Sequence, residues 1–240
     1  MSDSWSQNPY AFNPCDVRFE RKFITEAMSW SDLDILLRGH PGGFLSAFQD
    51  RWVNNIYLDT ENLNCYQEHI RGCSSRAKFR VRWYGDLHQE RARPVLEIKR
   101  KKGMVGSKLR FDLGEFNSKN NFNTIDFMNL IRTAGIDERI VSYATAMNFV
   151  VGNRYQRKYY VTSDQNYRVT IDRNLQFMKI PSWQGHEVGI LKDSTVVLEL
   201  KYLRDLDIGV EKITKFLPIR VSRMSKYIHG IERLKAAGYF

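Results

Sequence analysis

Three stretches of the chain carry a glutamate and a lysine two residues apart inside strand-like sequence: Arg18-Phe-Glu20-Arg-Lys22, Leu96-Glu97-Ile-Lys99 and Leu198-Glu199-Leu-Lys201. Two ladders of the same period accompany them, Lys78-Phe-Arg80-Val-Arg82 and Arg168-Val-Thr170-Ile-Asp172. Residues i and i+2 of a strand share a face and sit about 6.6 to 7 Å apart. Each segment therefore sets its charges on one face and mostly apolar residues, such as Phe79 and Val81 or Leu198 and Leu200, on the other. An ordinary half-buried sheet turns its charged face to bulk water. A single Glu-x-Lys pair would mean little, since as a surface ion pair it contributes well under about 1 kcal/mol. Five segments with a matched code of cations and carboxylates constrain the fold more tightly. They predict a sheet curled around a charged interior, whose natural guest is polyanionic.

The charge balance agrees. Lys and Arg number 37 against 27 Asp and Glu, a net charge of +10 that draws anions: nucleotide, polyphosphate, nucleic acid or an acidic membrane surface. General nucleic-acid binding would need exposed basic residues interleaved with stacking aromatics. The strand periodicity instead aims the cations into an interior, so no nucleic-acid partner is expected. With 42% apolar and 13% aromatic residues in 240, the chain can bury a core, which excludes disorder and suits one large domain. No stretch approaches the roughly 20 apolar residues that cross a bilayer, and the N-terminus has no signal-peptide core, so the expected location is cytoplasmic. Cys15, Cys65 and Cys73 are odd in number and form no C-x-x-C pair. That pattern argues against a disulfide framework or zinc site and for a reducing compartment. The five histidines are scattered and read as surface or packing residues.

Along the chain, residues 1–14 read as a flexible lead and 15–240 as a single domain. Strands are predicted over 17–23, 53–58, 76–84, 93–101, 107–112, 154–162, 167–175 and 195–203. Helices are predicted over 25–38 with Thr25 as N-cap, 61–69, 122–134, 210–216 and 222–237 with Ser222 as cap. Residues 136–151 are ambiguous between a short helix and a strand, and Gly185 and Gly189 fall in a loop or short hairpin. About eight strands with a few helices give an α+β fold dominated by one antiparallel sheet.

Phosphate chemistry suits such an interior. The barrier to phosphoryl transfer is lowered mainly by positioning and by neutralising charge on the non-bridging oxygens. Arginine offers a planar fork for bidentate phosphate contacts and lysine a compact point charge. A carboxylate such as Glu199 could hold Mg2+ or Mn2+, which share oxygen ligands with substrate phosphates. The other glutamates would orient and partly neutralise the lysines. The chain has no G-x-x-x-x-G-K-[ST] loop, no kinase-type glycine loop and no Ser-His-Asp or Cys-His arrangement, so a covalent enzyme intermediate is disfavoured.

At these residues the chain resembles the VTC domain, the polyphosphate polymerase module of the triphosphate tunnel (CYTH-like) superfamily, over about residues 17–234. The matching pieces, in order, are Arg-Phe-Glu-Arg-Lys-Phe23, Asn-Ile-Tyr-Leu-Asp-Thr60, Lys-Phe-Arg-Val-Arg-Trp-Tyr-Gly85, Leu-Glu-Ile-Lys-Arg-Lys101, Tyr-Gln-Arg157, Arg-Val-Thr-Ile-Asp172, Leu-Glu-Leu-Lys201 and Ser-Lys-Tyr-Ile-His-Gly230. The resemblance implies a closed antiparallel tunnel of eight strands, with flanking helices and a C-terminal helix, that binds ATP and a growing inorganic polyphosphate chain. It implies transfer of the γ-phosphoryl group to the chain with release of ADP, assisted by a divalent metal, typically Mn2+. By the same resemblance Lys22, Arg80, Arg82, Lys99, Arg157, Arg168 and Lys226 fall at phosphate-binding positions, and Glu199 at the metal-binding carboxylate. Lys22, Arg80, Arg82, Lys99 and Glu199 are the implied catalytic set. Lys78, Lys201 and Arg110 share the period and join the phosphate binders, and a further family arginine corresponds to Arg71 or Arg76.

One departure bears on the reaction. Tunnel triphosphatases of the superfamily typically open with Glu-x-Glu-x-Lys, whereas here the first position is Arg18, and Val197 stands where a second late-strand acid would sit. Fewer acids make a more cationic tunnel, suited to holding a long phosphate chain. Polymerase is the favoured reading, with a triphosphatase or a non-catalytic polyphosphate-binding subunit as alternatives. The chain reads as a stand-alone module without an inositol-phosphate sensor domain or membrane helices, so a membrane-protein partner would have to move the product.

Overall fold

Alternating charged and apolar residues make a sheet with two unlike faces, and the computed structural model contains such a sheet. It describes residues 18–103, 105–117, 124–180 and 189–240; the expected lead over 1–14, Cys15 and Gly185 lie outside the described residues. In chain order the elements are β1 (Arg18–Thr25), α1 (Trp30–Arg38), β2 (Leu45–Asp59), α2 (Asn64–Ile70), β3 (Ser75–Tyr84), β4 (Val95–Lys102), β5 (Val105–Asp112), α3 (Thr124–Thr133), α4 (Glu138–Thr145), β6 (Asn148–Val161), β7 (Tyr167–Lys179), β8 (Leu191–Asp193) and β9 (Val196–Leu203). A 3₁₀ turn (Arg204–Gly209), α5 (Glu211–Thr214), β10 (Val221–Ser222) and α6 (Lys226–Ala236) complete the chain.

The described strands form one antiparallel sheet in the order β10-β1-β9-β7-β6-β2-β3-β4-β5, with β8 added to β7. This corrects the expected closed eight-stranded tunnel. Among the described residues there are ten strands, and their hydrogen-bonded path runs open from β10 to β5. Eight of them follow the expected pattern; the additions are β8, three residues long, and β10, two residues long, which are too short to show a period.

The sheet nevertheless curls. β1 and β4 stand six places apart in it, which in a flat sheet would separate them by about 29 Å. Glu20 on β1 and Lys99 on β4 instead approach to 3.8 Å. Side chains thus bridge the gap that the backbone ladder leaves.

The apolar halves of the alternating segments pack outward under helices. Phe79, Val81, Leu96 and Ile98 join Phe127 and Ile131 of α3 and Ile140 and Ala144 of α4. Phe23, Val169, Ile171, Leu198 and Leu200 join Leu33 and Leu37 of α1 and Ile213 of α5. A third cluster lies on the concave side, where Tyr227, Ile228, Ile231 and Leu234 of α6 meet Val53, Tyr57, Val151, Tyr155 and Val197. The last helix therefore sits against the inner face and covers one part of the lumen. Asp59, at the end of β2, anchors it. Its carboxylate accepts from the backbone N–H of Cys65 at 2.9 Å and of Tyr66 at 3.0 Å, and from the Tyr227 hydroxyl.

The fit of α6 leaves no room at Gly230. A methyl group there would lie 2.6 Å from Phe177 Cδ1 and 3.1 Å from Val151 Cγ1. Gly230→Ala is therefore expected to destabilise the fold by about 1–3 kcal/mol, the usual cost of overpacking, read from the midpoint of urea unfolding at unchanged slope.

Several predicted boundaries move. Thr25 ends β1, and the first helix starts five residues later, where Ser29 and Asp32 form a reciprocal capping box. Ser222 is not a helix cap but pairs with Lys22 in β10, and Ser225 takes the N-cap position of α6. The ambiguous stretch 136–151 divides into α4 and the start of β6.

Candidate functional site: a cation-lined lumen

Antiparallel register brings the charged halves of the strands together. On β1, β9 and β7, Lys22 pairs with Glu199 and Glu199 with Thr170, while Glu20 pairs with Lys201 and Lys201 with Arg168. On β3, β4 and β5, Arg80 pairs with Glu97 and Glu97 with Arg110. Four carboxylates organise the cations. Glu199 meets Lys22 at 3.0 Å, Lys201 at 3.1 Å, Arg157 at 3.4 Å and Lys226 at 3.8 Å. Asp172 receives both Nε and an Nη of Arg157, at 2.5 and 2.6 Å, and Lys226 Nζ at 2.5 Å. Glu97 holds Lys108 at 2.5 Å, Arg80 at 2.6 Å, Arg110 at 3.5 Å and Arg82 at 3.7 Å. Glu20 contacts Lys22 at 3.0 Å and reaches towards Lys99 and Lys201.

Polar side chains fill in around them. Arg82 donates to Asn55 at 2.7 Å and to the Tyr155 hydroxyl at 3.2 Å, and Lys78 donates to Ser225 at the N-terminus of α6 at 2.7 Å. Lys226 lies 4.7 Å from the Tyr155 ring centre. Arg168, exposed, is set on the same face at the end of the ladder by its register with Lys201. All ten predicted phosphate binders thus fall on this inner face or, for Lys226, on the helix that covers it. Arg76 shares the face of Lys78 and donates to the Cys73 carbonyl at 2.7 Å, whereas exposed Arg71 terminates α2.

Sequence reasoning missed Lys108, Tyr155 and Ser225 as lumen residues, and it gave Thr170 and Asp172, which the ladder put on the charged face, no role of their own. Lys108 was findable, because it precedes Arg110 by one strand period. Thr170 is buried, and its hydroxyl has no partner among the described residues. Beside Glu199 in the register, it adds a hydroxyl to the lumen.

The electrostatics follow from burial and crowding. Burial alone would raise the Glu199 carboxyl, but Lys201, Lys22, Lys226 and Arg157 hold it well below the ordinary range. Burial likewise opposes ionisation of Glu97, yet Arg80, Arg82 and Lys108 bring it down to about 2. Lys78 goes the other way. Desolvation, then the neighbouring charges of Lys22, Lys99, Arg76 and Arg80, push it down to about 7. Desolvation brings Lys108 down to about 8 against the pull of Glu97.

A bound polyanion would favour protonated Lys78, so binding should take up a proton above pH 7. Tripolyphosphate affinity is accordingly expected to fall as pH rises from 7 to 9, by up to about tenfold per pH unit for that one proton. Lys78→Arg, charged throughout, should flatten the fall in isothermal titration, leaving the weaker slope due to Lys108. An identical slope in the variant would remove Lys78 from the binding set.

Among the described residues no group of three or more His, Cys, Asp or Glu could hold an ion, and both oxygens of Glu199 already face cations. Val197, where a second acid would stand, is buried against α6.

The comparison with protein families covers the same residues: the model of the VTC domain matches residues 17–235. The chain belongs to the VTC domain family. Its matched region includes every lumen residue described above. A relative of this VTC domain is the vacuolar transporter chaperone complex subunit 2 of Saccharomyces cerevisiae, 25% identical over 214 residues. That alignment takes in 78% of this chain but 24% of the yeast protein, so the chain spans about a quarter of the length of the curated relative it matches. Among solved structures, the PH1819 protein of Pyrococcus horikoshii OT3 shares the fold, with a TM-score of 0.53, 12% identity, and coverage of 90% of this chain and 99% of that one. No helix among the described residues is long and apolar enough to cross a membrane.

Proposed function

We propose that this VTC domain binds the triphosphate of ATP beside a growing inorganic polyphosphate chain and transfers the γ-phosphoryl group to the chain end. A terminal oxygen of the chain forms the new bond to the γ-phosphorus as its bond to the β–γ bridging oxygen breaks. ADP leaves with that oxygen, and the chain is longer by one phosphate. The observation that carries this reading is the convergence of Lys22, Arg80, Arg82, Lys99, Arg157 and Lys226, from five elements, on one lumen.

Each phosphate held there meets a guanidinium or ammonium already oriented by a carboxylate, so little rearrangement is needed as charge shifts during transfer. Lys22, Lys201 and Lys226, gathered on Glu199, would bear on the non-bridging oxygens. The forks of Arg80 and Arg157 would align consecutive phosphates. Glu199 is the carboxylate that would hold a divalent ion, Mn2+ or Mg2+, whose chemistry there would be to neutralise charge on the nucleotide phosphates. That Val197 stands where a second late-strand acid would sit supports polymerisation over hydrolysis, because the lumen keeps an excess of cations even with Asp172 opposite Val197 in the register. One comparison favours a second reading: the yeast relative is by name a complex subunit, so the domain could serve as a non-catalytic polyphosphate-binding part of an assembly, with a membrane-protein partner.

Incubation with ATP and Mn2+ or Mg2+, followed by gel separation, tells these apart. Long anionic polymer is the expected product. Orthophosphate alone would mean a triphosphatase, and tight polyphosphate binding without turnover would mean a binding subunit.

A further inference from the structure

Beyond the phosphate ladder, the inner face continues into a group of aromatic rings arranged around one guanidinium. Arg51 on β2 is the cross-strand partner of Arg157. Its guanidinium carbon lies 4.2 Å from the centre of the Tyr84 ring, 4.8 Å from that of Tyr159 and 5.7 Å from that of Phe48. Its Nε donates to the Tyr159 hydroxyl at 3.1 Å. Phe48 meets Tyr159 edge to face at 5.4 Å. The group adjoins the phosphate site directly, because the Arg157 guanidinium lies 6.0 Å from the Tyr159 ring centre.

Two features separate this group from ordinary core packing. Phe48 is 62% exposed, although it flanks a cationic opening where an apolar ring gains nothing from water. The ladder between β2 and β6 also shifts register on both sides of Phe48, between Ser46 and Phe48 and again between Phe48 and Arg51. Irregularities of this kind re-aim side chains and recur beside active sites.

We infer that Phe48, Tyr84, Tyr159 and Arg51 form a stacking platform for the base of a nucleoside triphosphate whose phosphates occupy the lumen. The inference rests on the proposed phosphate-binding role of the lumen and adds to it the place where the nucleoside end lies. Aromatic rings and a guanidinium plane attract the π-face of any base and read no base edge. The platform therefore favours nucleotides over inorganic chains without choosing among them, and the affinities of ATP, GTP, CTP and UTP are expected to agree within about threefold.

The test compares ATP with inorganic tripolyphosphate by isothermal titration, without turnover, on the wild-type chain and on Phe48→Ala, Tyr84→Ala and Tyr84→Phe, each checked for an unchanged circular dichroism spectrum. Phe48→Ala and Tyr84→Ala should weaken ATP binding about 5- to 50-fold and leave tripolyphosphate within twofold of wild type. Tyr84→Phe, which keeps the ring, should bind both as wild type does. Phe48 is exposed, so its variant keeps the test decisive should Tyr84→Ala fail to fold. Unchanged ATP binding in Phe48→Ala, or equal losses for both ligands, would overturn the platform while sparing the phosphate site. Failure of the wild-type chain to bind either ligand would overturn the phosphate site, and the platform with it.

Discussion

Glu199→Gln is expected to lower ATP-dependent polymer formation by about 100-fold or more, the scale on which one preorganised electrostatic contact acts, and to leave metal-free tripolyphosphate binding intact or tighter. The carboxylate collects Lys22, Lys201, Arg157 and Lys226, so its loss scatters the groups that must meet the transferring phosphate together. The same substitution removes a negative charge from the lumen, which favours a polyanionic guest. A carboxylate that merely filled space would show neither effect. Because Glu199 is buried among four cations, some loss of stability should accompany the loss of turnover, and bound tripolyphosphate should restore it. The decisive readings are single-turnover product formation and titration on the same preparation. Turnover near wild type would remove Glu199 from the reaction, and lost binding would mean that it shapes the lumen instead of counterbalancing it.

Asp172→Asn is expected to cost the fold more than any other single change in the lumen. Asp172 is fully buried and accepts from Arg157 and Lys226. The two cations together overcome the burial that would otherwise raise its carboxyl, and they hold it below the ordinary range. Asparagine preserves the shape but leaves two buried cations with only Glu199, at 3.4 and 3.8 Å, to answer them. Breaking a buried ion pair from one side costs about 3–5 kcal/mol, which for a chain of this size lowers the melting temperature by roughly 6–20 °C. Tripolyphosphate should recover much of the loss by supplying anionic oxygens to the same two groups. A melting temperature within 2 °C of wild type would show that the triad carries no such weight.

Most of the inner face was legible because a strand repeats every two residues. The Glu-x-Lys pairs and the basic ladders placed Lys22, Arg80, Arg82, Lys99, Glu199 and Lys201 on one face, and the antiparallel register then set Glu199 beside Lys22. What stayed hidden depends on contacts between distant segments. The first half of β2, from Leu45 to Arg51, is exposed and shows no alternation, so only residues 53–58 read as strand. The two residues of β10 pair with β1 through backbone groups, which leave no trace in side-chain type. Asp172 looked like the end of a ladder; its role as a buried counter-charge follows from the approach of α6, a helix far away in sequence. The open path of the sheet was equally invisible, since closure depends on whether β1 and the β4–β5 end of the sheet meet through backbone or, as in the contact of Glu20 on β1 with Lys99 on β4, through side chains across the gap.

The most direct test of the lumen as a phosphate site is a crystal structure of the chain with a non-hydrolysable ATP analogue. The account predicts consecutive phosphorus positions inside the curled sheet, with their oxygens in hydrogen-bond reach of Lys22, Arg80, Arg157 and Lys226. Phosphates seated on the outer surface, with the lumen cations still paired to Glu20, Glu97, Asp172 and Glu199, would contradict it.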